Sequence, residues 1–236
     1  MAGNTKIEWT EKTWNPVTGC TKISDGCKNC YAEKMAKRLN AMGNPRYENG
    51  FEVTMHEDLL TVPLKWNKSA KIFVNSMSDL FHEDIPFEYI QRVFNTMNLA
   101  NQHVFQILTK RSDILLKYAP HLNWSNNIWM GVTIESDKYK YRIDDLAQIP
   151  AKIKFISFEP LIERVNNPDL SKIDWAIIGG ESGVGARPII EEWVIHLKNV
   201  CDQYDTAFYF KQWGGKNKKK TGRELLGQTW DAYPVV

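Results

Sequence analysis

Three cysteines stand close together near the start of the chain: Cys20, Cys27 and Cys30, in the spacing C-x6-C-x2-C. Two thiolates in a C-x2-C pair can share one metal ion or one cluster. The loop before them carries Gly19 and Gly26, whose backbone freedom lets a third sulfur be brought in. Three chemistries compete for such a set. A structural zinc site takes four ligands, and the fourth would have to be Cys201, His56 or His82, since no second C-x2-C or H-x3-H follows. A redox pair uses two cysteines and leaves Cys20 unexplained. A [4Fe–4S] cluster on three cysteines leaves one iron open to a substrate or cofactor, and the lack of a nearby fourth ligand favours this reading. Cys201, inside an amphipathic segment, reads as a buried small hydrophobe.

Elements able to position such a site follow along the chain. Short apolar, β-branched runs alternate with amphipathic helical segments. The expected strands are Lys71–Ser76, His103–Leu108, Ile128–Ile134, Ile153–Phe158, Asp174–Ile178 and Ala207–Lys211. Helices are expected near Pro86–Ala100, Ser112–Tyr118, Asp137–Ala147 and Glu191–Tyr204. The strands are continuously apolar, as in a parallel sheet covered on both faces. The expectation is an α/β fold, a full or partial parallel β/α (TIM-like) barrel, with a doubly wound sheet as the alternative. The chain lacks a linker, low-complexity stretch or repeat, which predicts a single domain over residues 1–236, with a cysteine loop at about 19–31 and a basic tail at about 211–236.

Polar residues recur where these strands end, on the rim where β/α proteins bind ligands. They are Asn75, Ser76 and Asp79; Thr109, Lys110 and Arg111; Thr133 and Glu135; Ser157 and Glu159; Glu181 and Ser182; Lys211 and Gln212. Gly179 and Gly180 form a Gly-rich turn after a strand, without the G-x-G-x-x-G of a dinucleotide site.

Composition narrows the class. A net charge of +2 argues against an extended nucleic-acid surface while allowing a local basic groove. No apolar run reaches the roughly 18 residues of a membrane span, and Met1 to Thr10 is polar and charged, unlike a secretory signal. The expectation is a cytoplasmic protein with reduced thiols and no membrane partner. Nine tryptophans serve either a bulky core or stacking platforms.

A three-cysteine loop after a short strand at Lys6–Thr10, followed by a β/α chain, resembles the radical S-adenosylmethionine (SAM) enzymes. The chain is also similar to a family of three-cysteine-motif proteins carried by phages and bacteria. The matching segments include TWNPVTGC at Thr13–Cys20, GCKNCYA at Gly26–Ala32, FVNSMSDLFH at Phe73–His82, GVTIES at Gly131–Ser136 and IIGGESGVGARP at Ile177–Pro188. The first cysteine gap is longer than the commonest radical SAM spacing, and Asn29, not an aromatic, precedes Cys30, with Tyr31 just after it. The resemblance implies that Cys20, Cys27 and Cys30 hold a [4Fe–4S] cluster whose open iron chelates SAM. It implies a 5′-deoxyadenosyl radical and a reductant protein to supply the electron. Under it, Ser76 and Asp79 would hold the methionine amino group and Glu135 a ribose hydroxyl. Gly179, Gly180 and Glu181 would form a further ligand loop, and Lys110, Arg111 and Arg187 would meet an anionic substrate.

The segment Lys211–Arg223 carries six positive charges and no acid, beside Trp213. It reads either as a solvated surface loop or as a contact to phosphate and base. A nucleic acid or nucleotide is therefore the first substrate class. The rival function is a non-catalytic zinc- or cluster-binding module that contacts nucleic acid or a partner protein.

Overall fold

The computed structural model describes residues 2–235. In chain order the strands are β1 (Ala2–Asn4), β2 (Lys12–Trp14), β3 (Val17–Thr18), β4 (Thr54–Met55), β5 (Lys71–Val74), β6 (Val104–Thr109), β7 (Ile128–Thr133), β8 (Lys154–Phe158), β9 (Trp175–Gly179) and β10 (Ala207–Gln212). The helices are α1 (Tyr31–Ala41), α2 (Phe87–Leu99), α3 (Ser112–Tyr118), α4 (Arg142–Ala147), α5 (Glu191–Gln203) and the short α6 (Lys218–Thr221). An 8-stranded sheet has the order β1-β2-β5-β6-β7-β8-β9-β10, with β1 and β10 as its ends. The β1–β2 pair is antiparallel, whereas β2–β5, β5–β6, β8–β9 and β9–β10 are parallel. The expected α/β fold with a mostly parallel sheet is thus observed.

The chain divides into two compact units. One holds the chain through Ile23, Cys30–Met130 and Ile149–Lys152; the other holds Ser24–Asn29, Gly131–Gln148 and the chain from Ile153 onward. In the first, Trp14, Ile72, Val74, Phe105 and Ile107 are buried strand residues. Buried residues Tyr89, Ile90, Val93, Phe94 and Met97 of α2 recur at helical spacing and form one face. Burying a side chain of this kind contributes roughly 1.5–3 kcal/mol. In the second unit every residue of β9 is buried, and α5 buries Val194, Leu197, Val200 and Cys201. Gly131 is there for packing: a Cβ on it would lie 2.5 Å from the ring of Phe155.

Two expectations change. The strand expected at Lys6–Thr10 is instead the connection between β1 and β2, with Thr5 N–H donating to Glu11 O at 3.3 Å. Trp9 within it is buried, with its ring centre 4.7 Å from that of Phe73. The helix expected over Asp137–Ala147 is a 3-10 turn at Asp137–Tyr139 followed by α4.

Candidate metal centre

The division between the units falls inside the cysteine loop. Cys20 and Cys30 belong to the first unit, Cys27 to the second, and each arm is fixed within its own unit.

Cys20 follows β3, which pairs antiparallel with β4. Gly19 adopts φ +85°, and a Cβ on it would lie 2.0 Å from Glu52 O, so only glycine fits. Its N–H donates to Met77 O at 3.0 Å, and Cys20 N–H donates to Phe51 O at 3.1 Å. The backbone is clamped while the thiol stays partly exposed at an open groove of about 710 Å³, shared with Thr21, Lys22 and Phe51.

Behind Cys20 lies a polar network centred on buried Arg111 and Asp79. Arg111 donates from Nη1 to Cys20 Sγ at 3.5 Å and to Asp79 Oδ2 at 3.3 Å, and from Nε to Glu83 Oε2 at 2.7 Å. Its Nη2 donates to Thr21 Oγ1 at 2.8 Å. Asp79 also accepts from Thr109 Oγ1 at 2.7 Å, Lys110 N–H at 3.0 Å and Phe81 N–H at 3.1 Å. Burial alone would lower the Arg111 pKa, but Asp79 and Glu83 raise it and keep the guanidinium charged. Desolvation pulls Glu83 up, yet its bond from Arg111 brings it down to about 2. Burial, with Arg111 nearby, lowers the pKa of His82, whose Nε2 accepts from Thr21 N–H at 3.2 Å.

Cys30 is the N-cap of α1 and packs against Ala32, Ala36, Tyr47 and Met77. Tyr31 donates its hydroxyl to Ser76 O, and Ser76 Oγ donates to Asn15 Oδ1 at 3.1 Å. Ser76 therefore stands beside the start of the helix that carries Cys30.

Within the second unit, Asp25–Cys27 form a 3-10 turn. Ser24 Oγ donates to Glu135 Oε1 and lies 3.4 Å from Cys27 Sγ. A hydroxyl has one hydrogen; with it on Glu135, the Cys27 thiol is the donor to Ser24. Glu135 Oε2 accepts from Arg142 Nη1 at 2.9 Å, both side chains being buried, and Arg142 also donates to Thr133 O at 2.7 Å. Asp25 N–H donates to the Tyr139 hydroxyl at 3.0 Å. Arg187 Nη1 donates to Asp25 O at 2.9 Å, while its Nε donates to Glu181 Oε2 at 3.0 Å. Asn29 Nδ2 donates to the same Glu181 oxygen at 2.9 Å. Desolvation raises the pKa of Glu181, but Arg187 and Asn29 bring it down to about 2.

A family model described as "Protein of unknown function (DUF5131)" matches residues 4–234. The chain belongs to that family. No curated protein matches it. Solved structures of spore photoproduct lyase are similar to this DUF5131 chain in fold. A cysteine-to-alanine variant gives a TM-score of 0.52 at 11% identity, over 86% of this chain and 75% of that one. The corresponding variant with dinucleoside spore photoproduct gives 0.50 at 12% identity, over 86% and 63%. A third structure, with AdoMet and dinucleoside spore photoproduct, gives 0.49 at 13% identity. The chain spans 63% of the first lyase chain it matches.

The DUF5131 loop carries sulfur donors of the kind that iron takes. Cys20, Cys27 and Cys30 form no disulfide, and all three are partly exposed. Cys201 is not a comparable donor, because burial pushes its thiol up to about 12. Among the described residues, no group of three or more His, Cys, Asp or Glu is arranged to hold a metal ion.

The acidic strand-end residues Asp79, Glu135 and Glu181 each pair with an arginine, and each pair touches the cysteine loop. Sequence reasoning named the acids but missed Arg142, Tyr139 and Asn29, since nothing local marks a distant hydrogen bond. Gly179 ends β9, and Gly180 N–H donates to Gln212 O at 3.0 Å. A Cβ on Gly180 would lie 2.2 Å from Trp213 O, so close backbone packing requires this glycine. In the basic segment, Lys211 pairs with Glu159 at 2.7 Å and Arg223 pairs with Asp231. Trp213 donates to Glu224 O at 2.8 Å, while Lys216 and Lys220 are exposed. No helix among the described residues is long and apolar enough to cross a membrane.

Proposed function

We propose that this protein is an iron–sulfur enzyme of the radical SAM type that acts on a nucleic acid or nucleotide. One observation carries the reading: three accessible thiols on a single loop, in a fold similar to that of spore photoproduct lyase, a radical SAM enzyme. Cys20, Cys27 and Cys30 would hold a [4Fe–4S] cluster. The bound cluster with SAM would supply a 5′-deoxyadenosyl radical once a reductant protein delivers one electron.

The chain's own residues hold and shield that chemistry. Gly19 and the Phe51 carbonyl fix the Cys20 backbone. The α1 N-terminus presents Cys30. Glu135, through Ser24, and Glu181, through Asn29, steady the turn that bears Cys27. Ser76, beside Tyr31, is our candidate for the methionine amino group. Asp79, Glu135 and Glu181 are assigned to loop support, because their carboxylates are already occupied by arginine together with backbone or hydroxyl donors. Nucleic acid or nucleotide as substrate class draws support from the dinucleoside held by the similar lyase structure and from exposed Lys216 and Lys220.

The test is anaerobic reconstitution with iron and sulfide. The expected result is about four irons per chain, a brown protein whose spectrum changes on adding SAM, and 5′-deoxyadenosine under reducing conditions. A colourless protein with one stoichiometric zinc would sink the enzyme reading and favour a zinc module contacting nucleic acid or a partner.

A further inference from the structure

We propose that Arg111 is a positioning residue for Cys20: clamped between Asp79 and Glu83, its guanidinium donates to the Cys20 sulfur and separates that sulfur from both carboxylates. The inference deepens the cluster reading and rests on it.

Arg111 has five N–H donors, and five acceptors surround it. They are Glu83 Oε2 at 2.7 Å, Asp79 Oδ2 at 3.3 Å, Cys20 Sγ at 3.5 Å, and the Thr21 carbonyl and hydroxyl at 3.4 and 2.8 Å. A planar fork saturated in this way cannot turn toward solvent or an anionic substrate. Its side chain is 4% exposed, so the charge is committed inward. The backbone is fixed too, since Arg111 N–H donates to Thr109 Oγ1 at 2.9 Å, and Thr109 Oγ1 donates to Asp79 Oδ1 at 2.7 Å. The end of β6 thus delivers one cation to one sulfur.

The electrostatic consequence follows. A ligand sulfur carries negative charge, and Asp79 and Glu83 put two more charges of that sign nearby. Arg111 is the cation hydrogen-bonded to all three groups. A hydrogen bond to a cluster sulfur makes the added electron easier to hold and raises the midpoint potential.

The experiment uses the full chain, reconstituted with iron and sulfide. Arg111→Met alone leaves Asp79 without its cation and can unfold the protein, so Arg111→Lys, Asp79→Asn and the double variant Asp79→Asn/Arg111→Met are compared with wild type. Fold is checked by circular dichroism, iron retention by chelator challenge, and midpoint by dye-mediated titration. The double variant is expected to fold, lose iron roughly 10-fold faster and show a more negative midpoint than Asp79→Asn alone, which removes the same anion, with Arg111→Lys between wild type and the double variant in iron retention. A folded double variant with the iron retention and midpoint of Asp79→Asn would overturn the role of Arg111 while leaving the cluster reading intact. A wild type that takes up no iron overturns both.

Discussion

Gly26 is pressed against the side chain of Glu135: a Cβ on the glycine would lie 2.5 Å from Glu135 Cγ and 2.6 Å from Oε1. Glu135 cannot give way freely, because Arg142 holds its other oxygen at 2.9 Å. The glycine beside Cys27 is therefore set by a buried ion pair, not by chain flexibility. Gly26→Ala should cost about 1–3 kcal/mol through overpacking, at roughly 2–4 °C of Tm per kcal/mol for a chain of this size. It should also lower iron uptake. Thermal melts and iron assays of the variant check this; wild-type values for both would refute the contact.

The Glu135–Arg142 pair is almost wholly buried, at 0% and 1% side-chain exposure. Removing one partner strands a charge. Arg142→Leu should destabilise the protein by about 3–5 kcal/mol. Glu135→Gln/Arg142→Leu removes both charges and should recover part of that loss. Denaturant unfolding of the two variants measures the difference. A double variant at least as unstable as the single one would show that Arg142 stabilises the fold chiefly by packing over the Tyr139 ring, at 4.4 Å, and not through its charge.

The sheet was legible because its strands are apolar on both faces. The run expected at Ile128–Ile134 is β7 at Ile128–Thr133, and that expected at Ile153–Phe158 is β8 at Lys154–Phe158. Helix α1 escaped notice because it fully buries only Ala32 and Ala36, with Leu39 partly buried beside them, while Lys34, Lys37 and Arg38 face water. The cysteines and the acids of the site could be read from residue type. Their partners could not: Asp79 meets Arg111 across 32 residues and Asn29 meets Glu181 across 152. Arg111 looked like a surface cation for an anionic substrate, and only the fold turns it inward.

Acid should weaken the site through Glu181 and Glu83. Both carboxyls are brought from an ordinary 4.5 down to about 2, with desolvation opposing and the bonds from Arg187 and Arg111 prevailing. A folded-state pKa below the unfolded one means that the unfolded chain binds protons first as pH falls. The stabilisation is full above about pH 4.5 and fades as pH falls through about 2. Unfolding free energy measured across this window should fall with pH, and Glu181→Gln should flatten the slope. An unchanged slope in the variant would mean that the Glu181–Arg187 pair does not differ between folded and unfolded chains.

Cys201 provides the internal control for the three-cysteine assignment. It lies on α5 at 1% exposure, and burial pushes its thiol up to about 12. A thiol with a raised pKa stays protonated at neutral pH, and a protonated, enclosed sulfur neither reacts with alkylating agents nor donates to iron. In the folded protein, iodoacetamide at neutral pH should label Cys20, Cys27 and Cys30 and spare Cys201, as read by peptide mass spectrometry. Denaturation should expose the fourth site. Cys201→Ala removes one sulfur from a packed core, so a modest loss, on the order of 1 kcal/mol, is expected, with iron content unchanged. Cys20→Ala, Cys27→Ala and Cys30→Ala should each abolish stable cluster binding with little effect on the fold. Loss of iron in Cys201→Ala, with the fold intact, would make Cys201 a ligand and return a four-cysteine zinc site to the front.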